Sequence, residues 1–431
     1  MVETELDRTK RPPLFAPAPA PLPELRTVML DNRIPLKIYD RPDMGLVNIT
    51  AINRGGIAEA KAPQTAIIAA EMRRFGSGTL SAEEIAKQLD MNGAWLKTTV
   101  SSHYTSTNFF MLADRAKAVL PIASEVVMHP LFPEHETKII ANRKAEEREI
   151  AQTTELFKVN TRSSELAYGK NHPLAKEVYA DDFRSVKPEE LSEFFTRTQH
   201  PANLCLYAFG RITPEIENRI NRAFGNIPES KPLTPLNIIP FTPQVKGYYE
   251  HIPVADSSQS ALSVTIPTIG RSHPDYLALR LAVMALGGYF GSRLSLNIRE
   301  EKGMTYGVRA SLLGFSEGST AMITTQCDAS YVNPVREEID KEIERLATVP
   351  LTPEELKRLR LAEIGTLIDT TDSPDTIIGF HQTIHTAALP QDYFNRRINA
   401  VNAINSDTIM RVAAEHLTPS NAITISAGLP L

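Results

Sequence analysis

An internal repeat constrains this chain more than any other feature. Ile122-Ala123-Ser124-Glu125-Val126-Val127 reads as helix, then comes Pro130-Leu131-Phe132-Pro133-Glu134, then a long charged helix through Glu146, Glu147 and Glu149. Ile339-Asp340-Lys341-Glu342-Ile343 leads in the same way to Pro350-Leu351-Thr352-Pro353-Glu354 and a second long charged helix. Pro133 and Pro353 lie 220 residues apart. Further on, His200-Pro201-Ala202-Asn203-Leu204-Cys205-Leu206 matches Thr418-Pro419-Ser420-Asn421-Ala422-Ile423-Thr424, with Pro201 and Pro419 218 residues apart. Two separate segments at nearly one offset point to a single duplication, and a period this long is a whole domain rather than a solenoid unit.

The 431 residues are right for two domains of about 200 residues each. Proline-rich stretches mark the boundaries: an arm over 1–25 and a linker over 228–245. They leave one domain over 26–227 and a second over 246–431. Each half reads strand, helix, strands, long helices, closing strand. In the first, Leu46 to Ile52 alternates like a strand and Pro63 to Arg74 reads as helix. Ser81 with Glu84 three residues on carries the capping-box pattern. Trp95 to Thr99 and Ser106 to Leu112 read as neighbouring strands. Crossover signals are few, so the expected class is α+β, with mostly antiparallel sheets and helices packed on one face.

Composition narrows the function. A net charge of -5 gives no reason to expect nucleic acid. No apolar run is long enough to span a bilayer. Cys205 and Cys327 sit in strand-like apolar runs and read as small hydrophobes. Met1 to Asp7 is acidic and lacks the apolar core of a secretory signal, so the expected compartment is the cytoplasm. A chain already relieved of an export signal would look the same, which keeps the periplasm open.

One stretch carries chemistry. Gly287-Gly288-Tyr289-Phe290-Gly291-Ser292-Arg293-Leu294 leads into a short amphipathic helix containing Arg299, and Lys302-Gly303 leads into a strand containing Tyr306. Ser292-Arg293-Leu294 is expected to cap and start that helix, and Gly303 to turn the chain into the strand. Arg299 and Tyr306, seven residues apart in this setting, resemble the arginine–tyrosine motif in the second half of the insulinase/pitrilysin-type zinc peptidases, the M16 family. The resemblance covers nearly the whole chain after the arm and implies that family's two-domain fold. It also implies that Arg299 and Tyr306 hold the substrate backbone opposite a zinc.

The zinc motif of that family, His-x-x-Glu-His before a Gly-Thr pair, is missing. Counting back from Gly78-Thr79 places Ala69, Met72 and Arg73 at the three positions, and the first histidine anywhere is His103. An alanine, a methionine and an arginine cannot bind zinc or take a proton from its water. Glu149 lies near the spacing of the family's third ligand but reads as a solvated helix face without the histidines. Lys97-Thr98 after Gly93-Ala94 is a second departure at that cleft. His381 and His385 form an i, i+4 pair with glutamine where a base would stand, in the half where the family has no metal.

The resemblance therefore implies a non-catalytic, half-length subunit, with no metal of its own. Zinc is expected in a partner homologue, and Arg299 and Tyr306 complete that partner's site for hydrolysis of unfolded peptides. The alternatives are an inert peptide-binding or structural homodimer, and an independent hydrolase using an unrecognised metal site.

Overall fold

The computed structural model describes residues 9, 17–228 and 232–430. The acidic stretch Met1 to Asp7, the first prolines of the arm and three linker residues at 229–231 lie outside the described residues. The first half builds strands β1 (Arg26–Met29), β2 (Pro35–Asp40) and β3 (Leu46–Arg54), then helices α1 (Pro63–Met72) and α2 (Ala82–Met91). Strands β4 (Trp95–Val100) and β5 (Tyr104–Leu112) precede α3 (Ala116–Met128), α4 (Glu134–Ala151), α5 (Glu155–Tyr168), α6 (Ala180–Arg184) and α7 (Pro188–Thr198). Strand β6 (Leu204–Gly210) and α8 (Pro214–Phe224) close it. The second half repeats the plan with β7 (Tyr248–Pro253), β8 (Ser260–Thr268), α9 (Tyr276–Gly287), β9 (Thr305–Gly314) and β10 (Ser319–Cys327). Helices α10 (Val332–Thr348), α11 (Pro353–Asp372), α12 (Pro374–Thr386), α13 (Tyr393–Ala403) and α14 (Ser406–His416) follow, and β11 (Ile423–Gly428) ends it.

The duplication is visible in strand order. One sheet runs β1-β2-β6-β3-β5-β4 and the other β7-β11-β8-β10-β9, so the second is the first without its extra edge strand. Each has one parallel pair, β2 with β6 and β7 with β11, and is otherwise antiparallel. The α+β expectation is borne out. The capping box at Ser81 and Glu84 forms as expected, with both reciprocal hydrogen bonds.

The helices do more than line one face. β6 is buried at every position, as is β11, so these central strands need cover on both sides. The second cover comes from the opposite half. Val159, Leu166 and Ala167 of α5 pack with Ala261, Ile423, Ile425 and Ala427 of the second sheet. Ile378 of α12 packs with Ile52, Cys205, Tyr207 and Phe209 of the first. Each large aliphatic side chain buried this way contributes roughly 1.5–3 kcal/mol, so the exchange binds the halves together.

Arm and linker join the same seam. Among the described residues of the arm, Leu22 packs on the second-half core and the Pro23 carbonyl accepts from His381 Nε2 at 2.8 Å. Along the linker, backbone N–H groups of Phe241, Thr242 and Gln244 donate to the carbonyls of Glu317, Tyr168 and Leu166. Phe241 stacks on Tyr168 at 4.1 Å.

Candidate functional site

The segment after α9 starts from close packing. A Cβ on Gly287 would stand 2.7 Å from Ala310 of β9, so glycine lets the helix end press onto the strand. The expected amphipathic helix is a π-helix over Ser295–Glu301, with Lys302 N–H reaching back to the Asn297 carbonyl at 3.0 Å. The Ser292 carbonyl opens it by accepting from the Leu296 N–H at 3.0 Å, and the Ser292 hydroxyl bonds the Ser295 hydroxyl at 3.2 Å. Arg293 is buried instead, donating to Glu355 at 2.9 Å and to the Arg345 carbonyl at 3.1 Å. It also reaches the Val349 carbonyl, just past the end of α10, at 3.3 Å. Gly303 makes the turn into β9 at φ 61°, the left-handed region that costs glycine nothing.

The winding buries Ile298 completely and leaves Arg299 on the open side. The Arg299 guanidinium lies over the Phe290 ring at 4.5 Å, while its Nε is a loose 3.6 Å from the Glu300 carboxylate. Phe290 is therefore its main partner, a role that reading the sequence alone did not assign. Tyr306 is 92% exposed near the start of β9, the edge strand of its sheet. An aromatic side chain serving only the sheet would be half covered; this one presents its hydroxyl to solvent.

The corresponding corner of the first half is different. Ala69, Met72 and Arg73 are all buried. Ala69 and Met72 pack with Ile140, Ala141 and Ala145 of α4 in one apolar cluster. Arg73 donates to Thr107 Oγ1 at 2.8 Å and to Gln199 Oε1 at 2.5 Å. Burial lowers its pKa to about 10, and it remains a cation with neutral partners. The less covered side of α1 carries Gln64, Ile67 and Glu71, and Glu71 is held by Arg143 at 2.7 Å. Shifting the count by a residue or two brings in no histidine. These residues do not fit a zinc ion: the positions hold hydrocarbon and a fixed positive charge. Glu149 is exposed and paired with Arg184 at 2.6 Å. Glu71, Arg74, Leu96, Lys97 and Thr98 line a shallow cavity between α1 and the edge strand β4.

The histidine pair of α12 is used in packing. His381 is tied to the arm through Pro23, and His385 Nδ1 meets the Tyr207 hydroxyl at 3.1 Å. Burial, then the nearby positive charges of Lys37 and Arg54, push His385 down to about 4, so it is neutral and accepts that bond. Ligand atoms of His273, Asp275 and His416 lie within 4.8 Å of one another, but Arg411 grips Asp275 with two bonds of 2.7 and 3.0 Å. A guanidinium already supplies positive charge there.

A charged triad joins the two halves. His103, in the β4–β5 turn, bonds Glu59 through Nδ1 at 2.8 Å and Glu317, in the β9–β10 turn, through Nε2 at 2.5 Å. All three side chains are at most 5% exposed. Burial alone would lower the His103 pKa, but the bonds to Glu317 and Glu59 outweigh it and raise it to about 9. The imidazolium thus separates two buried carboxylates, one from each half.

Residues 185–362 match the family model described as "Peptidase M16 inactive domain", a stretch that includes Arg299 and Tyr306. Over that stretch the chain is similar to M16 peptidases. YmxG of Bacillus subtilis, named an uncharacterized zinc protease, is 22% identical over 362 residues, covering 81% of this chain and 85% of that protein. A solved structure described as a peptidase M16 inactive domain from Pseudomonas fluorescens superposes with a TM-score of 0.84 at 21% identity, over 94% of this chain and 98% of that one. The periplasmic protease PqqL of Escherichia coli superposes with a TM-score of 0.77 at 14% identity, over 94% of this chain but 46% of its own. This chain thus corresponds in fold to about half of PqqL. No helix among the described residues is long and apolar enough to cross a membrane.

Proposed function

We propose that this protein is a non-catalytic M16 subunit that pairs with a zinc-bearing M16 homologue and lends it Arg299 and Tyr306. The observation that carries the reading is the exposure of Tyr306 at 92%, on an open sheet edge next to a turn that carries Arg299, in a chain whose α1 positions cannot hold a metal. In peptide hydrolysis, negative charge develops on the former carbonyl oxygen. A tyrosine hydroxyl aimed there stabilises the transition state more than the substrate. A guanidinium can hold a peptide carbonyl by two bonds in fixed geometry. Among the described residues, no strand lies beyond the outer edges of β4 and β9, so an extended, unfolded peptide can pair with either by strand addition. The metal and its water belong to the partner.

The test compares peptidase activity on a generic unfolded peptide for this chain alone, the zinc-bearing homologue alone, and the mixture, with metal content measured in each. Activity confined to the mixture, and cut about a hundredfold by Arg299→Ala, supports the reading. A mixture no better than the homologue alone sinks it.

A further inference from the structure

A π-helix seven residues long is uncommon, and such windings concentrate at functional sites. The wide turn over Ser295–Glu301 is held from outside by α10. Asn297 Nδ2 donates to Glu342 at 2.8 Å and to Glu338 at 3.1 Å. Glu338 also pairs with Lys302, the residue that ends the turn, and with Lys341 at 2.8 Å. These two lysines in that order, then Asn297, overcome burial and hold the Glu338 carboxyl down at about 2. Glu342 is only 3% exposed, so its bond to Asn297 is made largely out of water.

This clamp has a geometric consequence for Arg299. In an α-helix successive side chains are offset by roughly 100° about the axis, so gaining or losing one residue per turn moves everything beyond it. Rewinding the segment as α would carry Arg299 off the face of Phe290 and bring a different side chain inward where Ile298 now fills the core.

We propose that Asn297 and Glu342 are positioning residues: their hydrogen bond fixes the π winding that presents the Arg299 guanidinium on the open side of the molecule with Tyr306. The inference rests on the reading of Arg299 given above. Neither residue touches substrate; both act through the path of the backbone.

The test measures kinetics in the mixture with the zinc-bearing homologue, and hydrogen exchange on this chain alone. Asn297→Ala and Glu342→Ala should raise KM for the unfolded peptide roughly tenfold to hundredfold, the cost of misplacing a binding group by about 1 Å, with kcat little changed. Glu342→Gln keeps an acceptor oxygen for Asn297 and should restore most of the loss. A purely structural role would instead lower the melting temperature and the active fraction, leave KM alone, and spare no variant; that result overturns the proposal. Arg299→Ala is the reference. If it has no effect the trans-acting reading fails, and exchange then decides the positioning inference by itself. Amides over 295–302 should exchange faster in Asn297→Ala while the rest of the chain is unchanged. Equal protection in variant and wild type would overturn it.

Discussion

Two corners of this molecule share a plan and differ in every side chain that matters. In the first half, α1 stands beside β4, the last strand of its sheet; in the second, α9 and the π-helix stand beside β9, the last strand of the other. At the α1 corner, Ala69 and Met72 have joined the core and a buried arginine replaces any metal ligand. At the β9 corner, a tyrosine is left in solvent and an arginine is propped on a ring. The scaffold survives duplication because packing maintains it, whereas the chemistry depends on a few side chains that each copy keeps or loses. The α1 corner should therefore respond to mutation as structure and the β9 corner as function.

The largest expected effect lies between the corners. His103→Gln leaves Glu59 and Glu317 buried without their cation and should cost roughly 3–5 kcal/mol, read by urea unfolding. The wild type carries a matching pH signature. The folded-state pKa of His103 is raised from 6.5 to about 9, so the triad's stabilisation is fully present below pH 6.5 and is lost as pH rises through about 9. Unfolding curves between those values should lose that slope in His103→Gln; identical slopes would show that the triad does not bind the halves.

Met72→Ala comes next. A fully buried methionine in the α1–α4 cluster should cost about 2–5 kcal/mol through the cavity left behind. Activity of the mixed preparation should stay unchanged at temperatures where the variant is folded. A specific loss of activity with little loss of stability would mean that this corner still takes part in chemistry.

Arg299→Ala and Tyr306→Phe invert that pattern. Each should lower kcat/KM of the mixture on the order of a hundredfold. The smallest expected effect sharpens the contrast: Tyr306→Phe should leave unfolding free energy within about 0.5 kcal/mol of wild type, since the hydroxyl is exposed. A larger change would identify Tyr306 as a structural residue after all.

Much of the fold could be read from residue order because it follows local pattern. The duplication, strands β4 and β5 and the capping box at Ser81 are signals carried by residue order alone. The exchange of α5 and α12 is not, although the unbroken apolar run of β6, Leu204-Cys205-Leu206-Tyr207-Ala208-Phe209, signals burial on both faces. Which helix supplies the second cover is set by contacts between distant segments. At the candidate site, Arg299 and Tyr306 stood out through the glycines and charges around them. Phe290, nine positions before Arg299, lay within the same motif and could have been suspected. The π winding has no such signal, because Asn297 meets its partners only once α10 is in place, 41 and 45 residues further along. Glu59, His103 and Glu317 are separated by 44 and 214 residues, so nothing local connects them.

The helix exchange also bears on how this chain reaches its native state. Ile52, Cys205 and Tyr207 find part of their cover only when Pro374–Thr386 arrives, and α5 has no sheet to lie on until β8 and β11 exist. The first half cannot complete its burial while it emerges from the ribosome. It must wait, with an apolar face open, for a helix made near the end of synthesis. Long-range closures of this kind are slow and expose surfaces that invite aggregation. Cleavage at the linker would therefore yield two fragments that fold well only in each other's company.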